Sequence, residues 1–367
     1  MKAPVTRRIV LGYMGAAAGA AAIGSGFSRR ASAASNVTFL GWQGYEDVYR
    51  IGDFLKDNDA TLDATYINTT EDIITKLRAG GVGSIDLATL NQMYVAIGQA
   101  AGLLEPIDLA KVPNSKDLLP NFQNDDFVID GKTYALPFTF SSCALLYNPE
   151  MVSSAPTSWE DFLKPEYKGK VALFSDAMTN VLVWARVATG TDTPTRMTKK
   201  QLDETIALLI KIKKDHARAM PASLGDGSDM LARGEVAMIM GWEPMVVWCA
   251  EKGTKVEIAK PKEGTWGFLD TINIAKDAPN YDLDLAFVNQ CVSAEAQAKF
   301  GNDNLLGVVN KDAVPQLKKE VQALYDFSDL DAYFANAHLY PMFPLESDGK
   351  YVTYDEMLEG YERFLKA

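Results

Sequence analysis

Ten residues fall where apolar runs give way to turns, and their types are those that hold an organic cation. They are Trp42, Gln43, Tyr45, Asn91, Tyr94, Asp176, Trp242, Glu243, Phe268 and Asp270. Aromatic faces are interleaved with carboxylates and amides. An ammonium gains about 0.5 to 2 kcal/mol from each well-placed ring, and a carboxylate supplies the charge-assisted hydrogen bond that a desolvated amine otherwise lacks. Taken singly, Trp42 or Trp242 reads as partial core, Asp176 as a helix N-cap and Asp270 as a turn residue. The recurrence of the pattern at corresponding positions carries the reading.

The surrounding pattern says what must position them. Residues 37–40 read as a short strand that runs into Gly41-Trp42-Gln43-Gly44-Tyr45, and residues 47–56 as the helix that follows. A second strand spans 61–67, and a helix over 70–78 stops at Gly80-Gly81. A third strand, 84–90, leads directly into Asn91-Gln92-Met93-Tyr94. This strand-helix-strand rhythm implies parallel pairing. Further along, 171–174 is a strand ending at Ser175-Asp176, 235–241 a strand ending at Trp242-Glu243-Pro244, and 261–271 carries Phe268 and Asp270. Capping boxes open helices at Thr198 and Thr353, the first with Leu202, Ile206, Leu209 and Ile210 on one core face. Ligands of open α/β sheets bind beyond the carboxyl ends of strands. All ten candidates sit at such positions.

At the N-terminus, Arg7-Arg8, an Ala/Gly-rich apolar stretch over 9–27 and Ala31-Ser32-Ala33 read as a twin-arginine export signal of residues 1–33, cut after Ala33. The expected location is the periplasm. The signal holds five cations (Lys2, Arg7, Arg8, Arg29, Arg30) and no acid, so its removal takes the net charge from -12 to -17. Such a field disfavours nucleic acid and anionic membrane as partners. Three cysteines and two histidines give neither a disulfide framework nor a zinc site, and calcium loops, nucleophile elbows, phosphate loops and dinucleotide fingerprints are missing. No cofactor, no metal and no catalysis are expected.

These segments resemble the periplasmic spermidine/putrescine-binding components of ABC importers, within the type II periplasmic binding proteins. The resemblance rests on 41–45, on Gly102-Leu103-Leu104-Glu105-Pro106-Ile107-Asp108, on Tyr134-Ala135-Leu136-Pro137-Phe138 and on Tyr147-Asn148. It continues through Pro156-Thr157-Ser158-Trp159-Glu160-Asp161, 165–171, Gly234-Glu235-Val236 and Pro261-Lys262-Glu263-Gly264. It implies an α/β fold of two lobes, each a mixed sheet flanked by helices, with the ligand cleft between them. The implied division is 36–144 in lobe 1, 145–269 in lobe 2, 270–305 returning to lobe 1, and 306–367 completing lobe 2. It further implies a monomer that closes over a polyamine or small amine and hands it to a membrane permease.

By the same resemblance, Trp42 and Tyr45 flank the amine chain, Asp176 receives one terminal amine, Trp242 is the aromatic of the second lobe, and Asp270 receives the opposite or central amine. The chain departs from the family pattern at Asn91, Met93, Phe268, Thr179 and Val308. Thr179 stands where a second acid accompanies Asp176. Fewer acids suit a shorter or singly charged amine, or a zwitterion, better than a fully charged triamine, unless Glu243 supplies the missing charge. The same fold around a zwitterion, a phosphonate or ferric iron is the alternative, with an exported enzyme behind it. Iron wants clustered Tyr, His and carboxylates, and an anion wants Arg or helix N-termini. Arg186 and Arg196 lie beyond the candidate turns.

Overall fold

Two long strands that are buried along their whole length organise the molecule. The computed structural model describes residues 34–67, 70–123, 125–174, 176–221 and 223–367; the expected export signal, 1–33, lies outside the described residues. Strands β1 (Ser35–Gly41), β2 (Ala60–Tyr66) and β3 (Leu87–Asn91) come first. The long strand β4 (Leu136–Tyr147) follows, then β5 (Val171–Ala172), β6 (Ala217–Ala219), β7 (Met238–Trp242), the long strand β8 (Thr265–Ala275) and β9 (Gly307–Val308). They join one mixed sheet in the order β2-β1-β3-β8-β4-β7-β5-β6. β1 pairs in parallel with β2 and β3, as the strand-helix-strand rhythm requires, and β7, β5 and β6 are parallel to one another.

β8 is antiparallel to both β3 and β4, and β4 is antiparallel to β7, so the two long strands carry the hydrogen bonding from one flank of the sheet to the other. Their sequences, LPFTFSSCALLY and TWGFLDTINIA, are buried at every position. Such near-continuous burial belongs to strands covered on both faces. β2, at the edge, alternates burial and exposure instead.

Helices lie on this frame with ends that the sequence specifies. Asn91 caps α1 (Gln92–Ala100), Asp176 caps α2 (Ala177–Thr189), and Gly190 closes α2 in the left-handed region. The Thr198–Gln201 capping box opens α3 (Lys199–Lys211), and Pro244 stands in the first turn of α4 (Pro244–Glu251). After α5 (Leu330–Asn336), the Thr353–Glu356 box opens α6 (Tyr354–Lys366), which packs on α2 and α3. Leu202, Ile206 and Leu209 are buried as expected, whereas Ile210 is half-buried.

Several boundaries differ from the sequence reading, among them the third strand, read over 84–90 and found at Leu87–Asn91, and the strand read over 171–174, found at Val171–Ala172. The helix expected over 47–56 is a 3-10 turn, Tyr45–Arg50, and a single helical turn, Phe54–Asp57, parted at Gly52, whose φ of 57° no helix admits. The strand expected over 235–241 is Met238–Trp242, so Trp242 stands in the ladder opposite Cys143. The strand expected within 261–271 extends to Ala275, because its second half also pairs with β3.

Candidate ligand-binding site

At the ends of β1, β3, β5 and β7 and along β8 the chain encloses a cavity of about 530 Å³. Eight of the ten expected residues line it: Trp42, Tyr45, Asn91, Tyr94, Asp176, Trp242, Phe268 and Asp270. Gly44, in the left-handed region at φ 92°, turns the chain after β1 so that both Trp42 and Tyr45 face the cavity. On β8, Trp266, Phe268 and Asp270 reach the same wall at every second residue, which is the side-chain period of a strand.

Asp270 is the chemical centre. The antiparallel register sets it opposite Asn91, and a register shift between Asp270 and Thr271 bends β8 there against β4. The Tyr45 hydroxyl donates to Asp270 Oδ2 at 2.8 Å, and Asn91 Nδ2 to Oδ1 at 3.4 Å. Asn91 is itself fixed, because its Oδ1 caps α1 by accepting from the Met93 N–H at 3.1 Å. Tyr45 is gripped by the edges of Phe138 and Phe300, with ring centroids 5.1 and 5.2 Å away. Burial pushes the Asp270 carboxyl up to about 6, against the opposing pull of its two donors. Two neutral donors do not replace the water that a carboxylate gives up.

Asp176 stands on the other flank, half-buried, with its Oδ1 accepting from the Thr179 N–H at 2.7 Å. Beside it, the ring of Trp242 meets Phe174 edge-on at 5.7 Å and 79°. Tyr94 shares a 3.1 Å hydroxyl contact with Tyr354 at the start of α6. The sequence reading missed Trp248 and Trp266, which bring four of the six tryptophans into the wall. Trp266 was available to it from the alternation on β8, and Trp248 lies one helical turn after Pro244.

Two expected residues lie outside the wall. Gln43 is exposed and outside the wall, because the turn that aims Trp42 and Tyr45 inward sends the residue between them to solvent. Glu243 is 3% exposed, yet it does not line the cavity. Its carboxylate accepts from the Ser142 N–H at 2.7 Å, Ser142 Oγ at 2.6 Å, Tyr333 Oη at 2.8 Å and Ser141 Oγ. Burial pushes its carboxyl up while these four donors pull it back. Glu243 therefore ties the start of α4 to β4 and α5.

Among the described residues, Asp176 and Asp270 are the only charged side chains of the wall, and no Lys, Arg or His joins them. No group of three or more His, Cys, Asp or Glu among the described residues is placed to hold a metal ion. Cys143, Cys249 and Cys291 are buried free thiols. An apolar box with two acids in its wall attracts positive charge and repels negative charge.

The family model "Bacterial extracellular solute-binding protein" matches residues 50–329. The spermidine/putrescine-binding periplasmic protein of Escherichia coli K12 is 27% identical over 274 residues, covering 74% of this chain and 77% of that one. The putrescine-binding periplasmic protein SpuD of Pseudomonas aeruginosa UCBPP-PA14 is 27% identical over 323 residues, covering 79% and 86%. A solved structure, the spermidine/putrescine ABC transporter substrate-binding protein PotD of Streptococcus pneumoniae, superposes with a TM-score of 0.72 at 21% identity, covering 90% of this chain and 99% of that one. The fold is accordingly the mixed α/β fold of type II periplasmic binding proteins. With the family match spanning most of its length, the chain belongs to the bacterial extracellular solute-binding proteins.

Proposed function

We propose that this protein captures a polyamine or a related small cationic amine outside the cytoplasm and delivers it, chemically unchanged, to the membrane permease of an ABC importer. Asp270 carries the reading: it is a carboxylate 5% exposed in the wall of an aromatic cavity, held by two neutral donors and faced by no protein cation on that wall. Such a group is incomplete without a positive partner, and an ammonium supplies it. The acids exclude a phosphonate for want of an arginine, and two carboxylates without clustered Tyr and His do not make an iron site. The named relatives bind spermidine and putrescine or putrescine, which supports the same ligand class here.

Capture works by closure. One lobe carries β1 to β3 with Trp42, Tyr45 and Asn91; the other carries β5 to β7 with Phe174, Asp176 and Trp242, and β4 and β8 serve as the crossing strands. Closing the lobes brings both sets of rings onto one ligand. The division proposed is 36–144, 145–269 and 270–305, followed by the remainder to 367. Because β9 pairs with Thr139 and Phe140 of β4 while α6 packs on α2 and α3, the last crossing is better set after α5 than at residue 306. The protein acts as a monomer, without nucleic acid, and residues 1–33 serve as its twin-arginine export signal.

Calorimetry of the purified protein against putrescine, cadaverine and spermidine tests the ligand class: saturable binding of at least one is expected, and silence toward all three would sink it. The N-terminal sequence of the exported protein tests the signal, with Ala34 expected first.

A further inference from the structure

One pair of side chains joins the two flanks of the cavity without passing through the long strands. The hydroxyls of Tyr94 and Tyr354 lie 3.1 Å apart, 260 positions distant in sequence, and their rings meet edge-on at 6.3 Å and 89°. Tyr94 stands in the first turn of α1, directly after β3, and lines the cavity. Tyr354 opens α6, which packs on α2 and α3, and it does not line the cavity. The two lobes proposed above therefore touch here through one side chain of the wall and one outside it.

Each partner is fixed from its own side. The Asn91 cap sets the start of α1, and the Thr353–Glu356 capping box sets the start of α6, where the Tyr354 N–H also donates to the Pro344 carbonyl at 2.8 Å. Either phenol hydroxyl can donate to the other, since both donate and accept. A neutral hydrogen bond and an edge-on ring pair are modest in themselves. Their placement gives them leverage: hinge opening parts the two tyrosines, so what the pair contributes goes to the closed state alone.

Resting on the capture-by-closure reading above, we infer that Tyr354 is a positioning residue of the closed state: from the far lobe it holds the Tyr94 ring against the cavity and slows escape of the bound amine. The ligand enters before the pair forms, so the rate of entry does not depend on it. Release requires the pair to break. Retention is thereby set in part by a residue outside the cavity wall.

Stopped-flow tryptophan fluorescence reads both rates, because Trp42, Trp242, Trp248 and Trp266 line the cavity. The probes are putrescine, cadaverine and spermidine. Tyr354→Phe keeps the ring and removes the hydroxyl, so the dissociation rate is expected to rise about three- to tenfold with the association rate within about twofold. Tyr94→Phe breaks the same pair from the other side. The double variant should add little to the larger single effect, which is the mark of a shared contact. The ligand-free variants should melt where the parent does; a merely structural role would lower the melting temperature and leave the dissociation rate alone. If Tyr354→Phe does not speed dissociation, or if the two single effects simply add, the inference is overturned and the amine reading stands. If none of the three amines binds, the amine reading falls and this inference with it.

Discussion

Asp270 and Glu243 are both buried carboxylates beside the long central strands, and they differ in what surrounds their oxygens. Glu243 is closed on all sides by the serines of β4 and a tyrosine hydroxyl from α5, so each oxygen has a donor supplied by the fold. Asp270 has one tyrosine hydroxyl and one distant amide, and the rest of it faces a cavity. A buried carboxylate with a full donor set belongs to the architecture. One with a partial set in the wall of a cavity has room for a further donor from a ligand. Burial alone does not distinguish them; the count and direction of partners does.

The strongest way to break this comparison is Asp270→Asn. It removes the charge and keeps the shape, so amine affinity is expected to fall by about a hundredfold or more, on the scale of one lost buried ion-pair partner. The empty protein should become more stable at pH 8, by up to about 3 kcal/mol, since the cost of burying a charge that raises the carboxyl by about two units is removed. Paired calorimetry and thermal melts read both effects, and a variant that binds amine normally would give Asp270 a role like that of Glu243.

Glu243→Ala should do the reverse. Four donors lose their acceptor, and stability is expected to drop by about 2 to 4 kcal/mol in a denaturant melt. The folded fraction should bind amine within about threefold of the parent. A selective loss of affinity without loss of stability would return Glu243 to the binding site.

The pH dependence sharpens the contrast further. Above about pH 6 Asp270 is ionised whether or not a ligand is present. As the pH falls through that value, the empty site takes up a proton that an incoming ammonium must displace, so amine affinity falls with falling pH. The expected loss is about tenfold at pH 5 relative to pH 8. The stability of the empty protein moves the opposite way: the cost of the buried charge is full above pH 6 and is relieved as the pH falls toward the ordinary carboxylate value near about 4. A flat affinity between pH 5 and 8 would show that Asp270 does not meet the ligand.

The smallest effects concern single rings. Trp42→Ala and Trp242→Ala should each weaken amine binding by about fivefold, near 1 kcal/mol, while Gln43→Ala, on the solvent side of the same turn, should change nothing measurable.

Much of the site is legible in the chain because strand ends are marked by local chemistry. Trp42 and Tyr45 follow a short apolar run, Asn91 and Asp176 are helix caps as well as wall residues, and Asp270 lies inside a long apolar stretch where a carboxylate is anomalous. The surroundings of Glu243 were out of reach of local reading because its neighbours, Ser141, Ser142 and Tyr333, lie about a hundred residues away, and no local pattern announces that two separate segments will converge on it. The outward direction of Gln43 was not legible because a turn fixes direction through backbone dihedrals, here the left-handed φ of Gly44. The helix over 47–56 failed at Gly52 for the same kind of reason: periodicity describes a face, and a positive φ interrupts it.

The sequence by itself determined the fold class, the parallel first flank, the helix caps and the kinds of residue that meet a ligand. These follow from periodicity, capping and turn chemistry, which act over a few residues. Only the tertiary structure decided which carboxylates are satisfied and which are left facing space. That depends on long-range strand register, such as Asp270 against Asn91, and on donors arriving from distant segments. Electrostatic completeness is a property of the assembled neighbourhood, and no stretch of chain contains it.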